Sequence, residues 1–200
     1  MAACVALHGG TPALLAQDAV RTEVPGCDGG RVALTAEEAR TVALHARQRV
    51  ADRLPAFCVH PALVAAARAH AADMIARGYF GHAAPEGVTV DGRVRRAGYT
   101  RWRVVAENLG WGNGSLRHPE PIFSRWMTSP DHRANIRSPA LREIGVGVAS
   151  GTVRGSGPVR EYRGARMYVV TFGTRRPAGL PGPRGRRGVR SGVAQNGSGE

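Results

Sequence analysis

The hydrophobic and polar positions divide the chain into a helical first half and a strand-rich second half. Thr35-Ala-Glu-Glu38 has the Thr-x-x-Glu spacing of a capping box, which predicts a helix from there to about Arg53. Its apolar stripe is read as Val42, Ala46 and Arg49/Val50. A second helix is expected from Pro61, whose missing N–H costs nothing at the first helical position, to Gly78, a typical C-terminal stop. Leu63, Ala67, His70 and Met74 share its apolar face, so His70 reads as a packed histidine rather than a ligand. Thr89–Ala97 and Pro119–Met127 complete the shorter helices, the latter turning Ile122, Phe123 and Trp126 inward.

The period then shortens. Trp102–Trp111 alternates as a strand does, as does Ile144–Ala149, where Ile144, Val146 and Val148 alternate with Gly145, Gly147 and Ala149. The bare face of that second strand lets other backbone come close. Arg166–Gly173 is the last strand, and Thr152–Pro158 reads as a Gly-rich turn. Residues 20–33, rich in glycine and charge, read as leader or loop.

Two positions break the pattern in ways that suggest chemistry. Glu107 falls on the same strand face as Val105, Leu109 and Trp111, and a carboxylate on an apolar face must find partners or lose its charge. In Ser129-Pro-Asp-His132, the serine suits an N-cap and the proline the first helical position, which makes His132 the third helical residue. The positive helix end disfavours imidazolium, leaving a neutral ring fit to accept a hydrogen bond or ligate a metal.

Composition adds a large positive charge, formally +13 over 200 residues, with arginine as the only basic residue besides histidine. The arginines are dispersed rather than striped, which favours compositional bias over a dedicated polyanion-binding surface, and no specific nucleic-acid binding is expected. No apolar run approaches the roughly 20 residues of a membrane span. Met1–Ala19 is mildly apolar and ends in an Ala-rich patch, like the back half of a signal peptide whose basic start is missing. If that segment is removed Cys4 leaves with it, and Cys27 and Cys58 either pair or remain thiols. From Thr174 onward six arginines meet one glutamate with no periodicity, the composition of a disordered tail.

GYFGHAAPEG, AENLGWG, RWMTSPDHRANI, REIGVGV and YVVTFG, in that order, resemble the bacterial branch of the CAP superfamily (cysteine-rich secretory proteins, venom antigens and plant pathogenesis-related proteins). The resemblance covers about Ala36–Arg175. It implies an α+β fold, a three-layer α-β-α sandwich around a small, mainly antiparallel sheet. The corresponding organisation is a leader over 1–33, a CAP domain over 34–175 and a disordered tail over 176–200. The resemblance also implies a cleft with two histidines, here His82 and His132, and a first acid, Glu107. The second acid of many eukaryotic members falls at Ser129 in this chain, so Asp131 and Glu143 are the acids left to substitute.

The implied function is a secreted monomeric domain that binds a lipid or cell-envelope component without catalysis. One alternative is a zinc-dependent hydrolase with His82 and His132 as ligands and Glu107 as ligand or base. Another is a basic protein that coats anionic polymers. Ser124, Ser129 and Ser138 offer hydroxyls, but no Gly-x-Ser-x-Gly elbow is present to activate one.

Overall fold

The computed structural model describes residues 21–154 and 161–176. The expected signal-like segment, Met1–Ala19, and all of the expected tail after Arg176 lie outside the described residues.

In chain order the elements are β1 (Arg21–Pro25), β2 (Arg31–Thr35), α1 (Ala36–Ala51), β3 (Cys58–Val59), α2 (Pro61–Arg77), α3 (Val90–Arg96) and β4 (Trp102–Gly112). There follow a 3-10 turn (Gly114–Arg117), α4 (Pro119–Thr128), α5 (Pro130–Arg137), β5 (Glu143–Arg154) and β6 (Glu161–Arg175). The main sheet runs β3-β5-β6-β4, with β5, β6 and β4 antiparallel and the two-residue β3 parallel to β5. Helix α2 covers one face, with α3 beside it. On the other face the core of α1, α4 and α5 packs against Ile144, Val146, Tyr168, Val170 and Phe172. The result is an α-β-α sandwich of the α+β class.

The bare face of β5 explains how closely α2 approaches. A Cβ at Gly145 would run into the backbone of Leu63 and Val64, and one at Gly147 into that of Ala67 and Arg68. The α2 backbone lies directly on the strand at these two points, which a side chain larger than hydrogen would prevent.

The capping box forms as its spacing predicts. Thr35 N–H donates to Glu38 Oε2 at 2.8 Å, and Glu38 N–H to Thr35 Oγ1 at 3.3 Å. Glu38 is almost fully buried and also receives Arg68 of α2 at 2.6 Å, so the cap of one helix is tied to the flank of another across the sheet edge. At α2, the ring nitrogen Nδ1 of the N-cap His60 accepts from Ala62 N–H at 3.2 Å, and Gly78 ends the helix in the left-handed region at φ 67°.

Three expectations need correction. Residues 21–35 form the antiparallel β1–β2 hairpin, so the second half of the expected leader is part of the domain. Val32 and Leu34 enter the core, and the short apolar alternation around them is obscured by Gly26, Gly29 and Gly30 in the turn. The buried stripe of α1 is Thr41, Leu44, His45 and Arg49, whereas Val50 is 65% exposed. Polar residues line that stripe because Thr41, His45 Nδ1 and Arg49 each bond a backbone carbonyl, which an apolar-periodicity argument does not anticipate. Finally, β5 runs to Arg154, so residues 152–154, the described part of the expected Gly-rich turn, are strand, and the rest of that segment lies outside the described residues.

Arg49 accounts for much of that polar stripe. Its guanidinium is fully buried and donates to the carbonyls of Pro55 (2.7 Å), Ile136 (3.0 Å), Ser138 (2.8 Å) and Leu141 (3.1 Å). It also stacks 4.0 Å from the Phe57 ring centroid. Ile136 and Ser138 close the C-terminus of α5, where orphan carbonyls and the helix dipole favour a cation. A buried cation without a carboxylate is thus stabilised by backbone carbonyls, and it fixes the helix that carries His132.

Candidate functional site

Glu107 sits in the middle of the edge strand β4 and faces the α2–α3 side, its side chain 2% exposed. Arg93 of α3 reaches it with one nitrogen, Nη2, 2.9 Å from both carboxylate oxygens, while its Nη1 donates to the Val88 carbonyl at 3.0 Å. His82, from the loop after α2, donates through Nδ1 to Glu107 Oε1 at 3.0 Å and keeps 22% of its side chain exposed. That contact places a proton on Nδ1 and leaves Nε2 as the ring nitrogen not engaged by Glu107.

Behind them His70 of α2 is buried, its Nε2 donating to the Gly81 carbonyl at 3.0 Å and lying 3.9 Å from Glu107 Oε1. Burial holds its pKa below the usual histidine range, and the Glu107 charge opposes that shift without reversing it. The His70–Gly81 bond anchors the loop one residue before His82. Sequence reasoning missed Arg93, hidden in the run Arg93, Arg95, Arg96. Its position three residues before Arg96, on a helix too short for a clear period, leaves no signal beyond the unpaired charge of Glu107.

His132 approaches from α5. Its Nδ1 lies 2.8 Å from Ser129 Oγ, and its ring is half-buried. Burial, and then the proximity of His82, hold its pKa below the usual value, so the ring is neutral near pH 7. Ser129 does not cap α5 through its side chain, contrary to expectation. Its hydroxyl orients His132 instead.

The strand also holds α5 from below. Asn108, the neighbour of Glu107 on the opposite face, donates through Nδ2 to the His132 carbonyl at 3.0 Å and accepts from Asn135 Nδ2 at 2.9 Å. Two consecutive residues of β4 therefore hold the two segments that carry the histidines, Glu107 the ring of His82 and Asn108 the backbone of His132.

Of the remaining candidate acids, Asp131 is exposed and acts on His132 only through its charge. Glu143 belongs elsewhere. It is buried at the start of β5, where Tyr99 Oη donates to it and Arg175 Nε reaches it at 2.8 Å. Cys27 and Cys58 are joined in a disulfide with Cα atoms 5.1 Å apart, tying the β1–β2 turn to β3.

The expected zinc shell does not fit this geometry. Among the described residues, the one trio of His, Cys, Asp or Glu with all donor atoms within 4.8 Å is Cys27, Cys58 and Glu143, and its sulfurs are bonded to each other. His82, Glu107 and His132 are not gathered that closely, and both Glu107 oxygens are held by Arg93.

Residues 42–172 match the model of the cysteine-rich secretory protein family, CAP. The uncharacterized protein YkwD of Bacillus subtilis (strain 168) is 31% identical over 121 residues, 60% of this chain and 46% of YkwD, so the chain spans about half the length of that relative. Among solved structures, an extracellular SCP-domain protein of Bacillus anthracis str. Ames superposes with a TM-score of 0.55 at 21% identity, covering 70% of this chain and 40% of the other. An outer surface protein of Borrelia burgdorferi gives 0.55 at 16% identity, covering 78% of this chain and 100% of the other. These likenesses establish the shared fold. Among the described residues no helix is long and apolar enough to cross a membrane. With the family model spanning both histidines, Glu107 and the strands that carry them, the chain belongs to the cysteine-rich secretory protein (CAP) family.

Proposed function

We propose that this protein is an exported CAP module that binds a lipid or another cell-envelope component at the rim of the His82–Glu107–His132 cleft, without catalysing a reaction. The observation that carries this reading is the grip of Arg93 on both Glu107 oxygens at 2.9 Å. A carboxylate committed to a guanidinium and shielded from water is a poor general base, because taking a proton would leave a buried cation uncompensated. Its role is to fix the His82 tautomer. His82 and His132 are both held through Nδ1, which leaves their Nε2 atoms to meet a ligand hydroxyl or head group. Export is supported by the disulfide, which persists in oxidising compartments.

The test is to incubate the full chain with a bacterial envelope lipid extract, repurify it, and identify the retained lipid by mass spectrometry. Ester and peptide turnover is assayed in parallel, with and without added zinc. Retention that falls in His82→Ala and His132→Ala, with no turnover under either condition, is expected. Turnover that disappears in His132→Ala overturns the non-catalytic reading.

A further inference from the structure

The arginines that look dispersed in sequence converge at one end of the sheet. Helix α3 ends in Arg95 and Arg96, both exposed, and leads through Gly98 into β4, which begins among the exposed Arg101 and Arg103. Strand β6 ends beside it, with Trp102 paired to Arg175 and Arg176 N–H donating to the Arg101 carbonyl at 3.0 Å. Gly98, Thr100, Arg101, Arg175 and Arg176 line a cleft of about 480 Å³ at this end.

The acids present do not cancel the charge. Glu143, which also lines the cleft, is buried and already engaged by Tyr99 and Arg175, and Asp28 is held by Arg175 at 2.8 Å. Arg95, Arg96 and Arg103 close no ion pair within 4.0 Å among the described residues; the acid whose charge Arg96 does feel, Glu86, is itself paired with Arg77 at 2.7 Å. Both acids thus spend themselves on Arg175, and the surface around them keeps a positive balance.

We propose that this end of the sheet is a binding surface for a linear phosphate polymer, with the cleft taking individual phosphate groups and Arg95, Arg96 and Arg103 contacting the continuing chain. Guanidinium groups suit phosphate because they offer paired donors in a fixed plane. A polymer suits the surface better than a membrane does. The exposed large apolar side chains among the described residues, Val50, Phe80 and Leu116, all lie on other elements, so this face has no hydrophobic anchor to insert into lipid. Neutralising a row of phosphates releases their condensed counterions, so affinity must fall steeply with salt.

The experiment uses the full chain and fluorescently labelled long-chain inorganic polyphosphate, titrated across a series of salt concentrations. The patch variant Arg95→Gln/Arg96→Gln/Arg103→Gln is compared with Arg47→Gln/Arg117→Gln/Arg125→Gln, which removes the same charge from exposed positions on α1, the 3-10 turn and α4. Loss of three phosphate contacts should lower the slope of log affinity against log salt by about 2 and weaken binding by about tenfold or more. The control should stay within about twofold of the parent in affinity, with its slope unchanged. Equal losses in the two variants would mean that diffuse net charge drives binding, and an unaffected patch variant would place the contacts elsewhere on the chain. Either result overturns the proposal, as does anionic-vesicle binding that matches polyphosphate binding in strength and in sensitivity to the patch variant.

Discussion

Arg93 holds Glu107 by both oxygens, and the pair lies almost out of reach of water, with side-chain exposures of 10% and 2%. Removing one partner leaves the other charge buried. Arg93→Ala should therefore destabilise the fold by about 3–5 kcal/mol, whereas the paired apolar replacement Arg93→Met/Glu107→Leu should cost much less than the sum of the singles. Urea denaturation of the three variants measures this directly. Additive losses would show that the two groups are not coupled.

His45 makes acid sensitivity predictable. Its ring is fully buried among Phe57, Phe123, Trp126 and Phe172, with Nδ1 2.8 Å from the Thr41 carbonyl and Nε2 without a hydrogen-bond partner. Burial pushes its pKa down to about 4. Because the folded pKa lies below the unfolded value, the neutral ring's contribution is intact above about pH 6.5 and is lost as pH falls toward 4, reaching about 3 kcal/mol. His60, His70 and His132 shift in the same direction, so the measurement is the difference between parent and His45→Leu in urea midpoints from pH 7 to 4. The parent should lose more stability than the variant over this window. Parallel pH profiles would remove His45 from the account.

The Cys27–Cys58 bridge closes a sequence separation of 31 residues. Constraint of the unfolded chain by a loop of that size is worth about 3–4 kcal/mol in the chain-entropy model. Cys27→Ser/Cys58→Ser should lower the melting temperature to that of the parent in dithiothreitol, and a reductant should have no further effect on the variant.

Arg49 makes a sharper demand on chemistry than on charge. Arg49→Lys keeps the cation but cannot reproduce a planar fork that reaches four carbonyls, so it should destabilise by about 2 kcal/mol or more. Loss of the α5 anchor should also appear as faster amide exchange at Ile136 and Ser138. A lysine variant as stable as the parent would show that charge alone suffices there.

The parts of the architecture legible in the sequence are those with strong local rules. The Thr35–Glu38 box, Pro61 and Gly78 mark helix ends by backbone chemistry, and the Gly145/Gly147 alternation marks a strand under a helix. Glu107 stands out because an apolar strand face has no reason to hold a carboxylate. The hairpin over 21–35 is hidden because its two short strands gain stability from the core and the disulfide rather than from local propensity. Arg93, Arg49 and His45 are hidden for a common reason. Each is a polar side chain whose surroundings are completed by long-range packing, Glu107 around Arg93, the α5 carbonyls around Arg49 and the Phe123, Trp126 and Phe172 rings around His45, which composition and period do not encode.

Ser129 is at once the C-cap of α4 and the N-cap of α5, with no spacer residue between the helices. Its hydroxyl holds the His132 ring, while three residues earlier Trp126 is buried and donates through Nε1 to the Leu109 carbonyl of β4 at 2.7 Å. Any ligand that pulls on His132 therefore pulls on a joint without slack. The load passes into α4 and, through Trp126, back to the strand that carries Glu107, so His132 and Glu107 rest on one shared support.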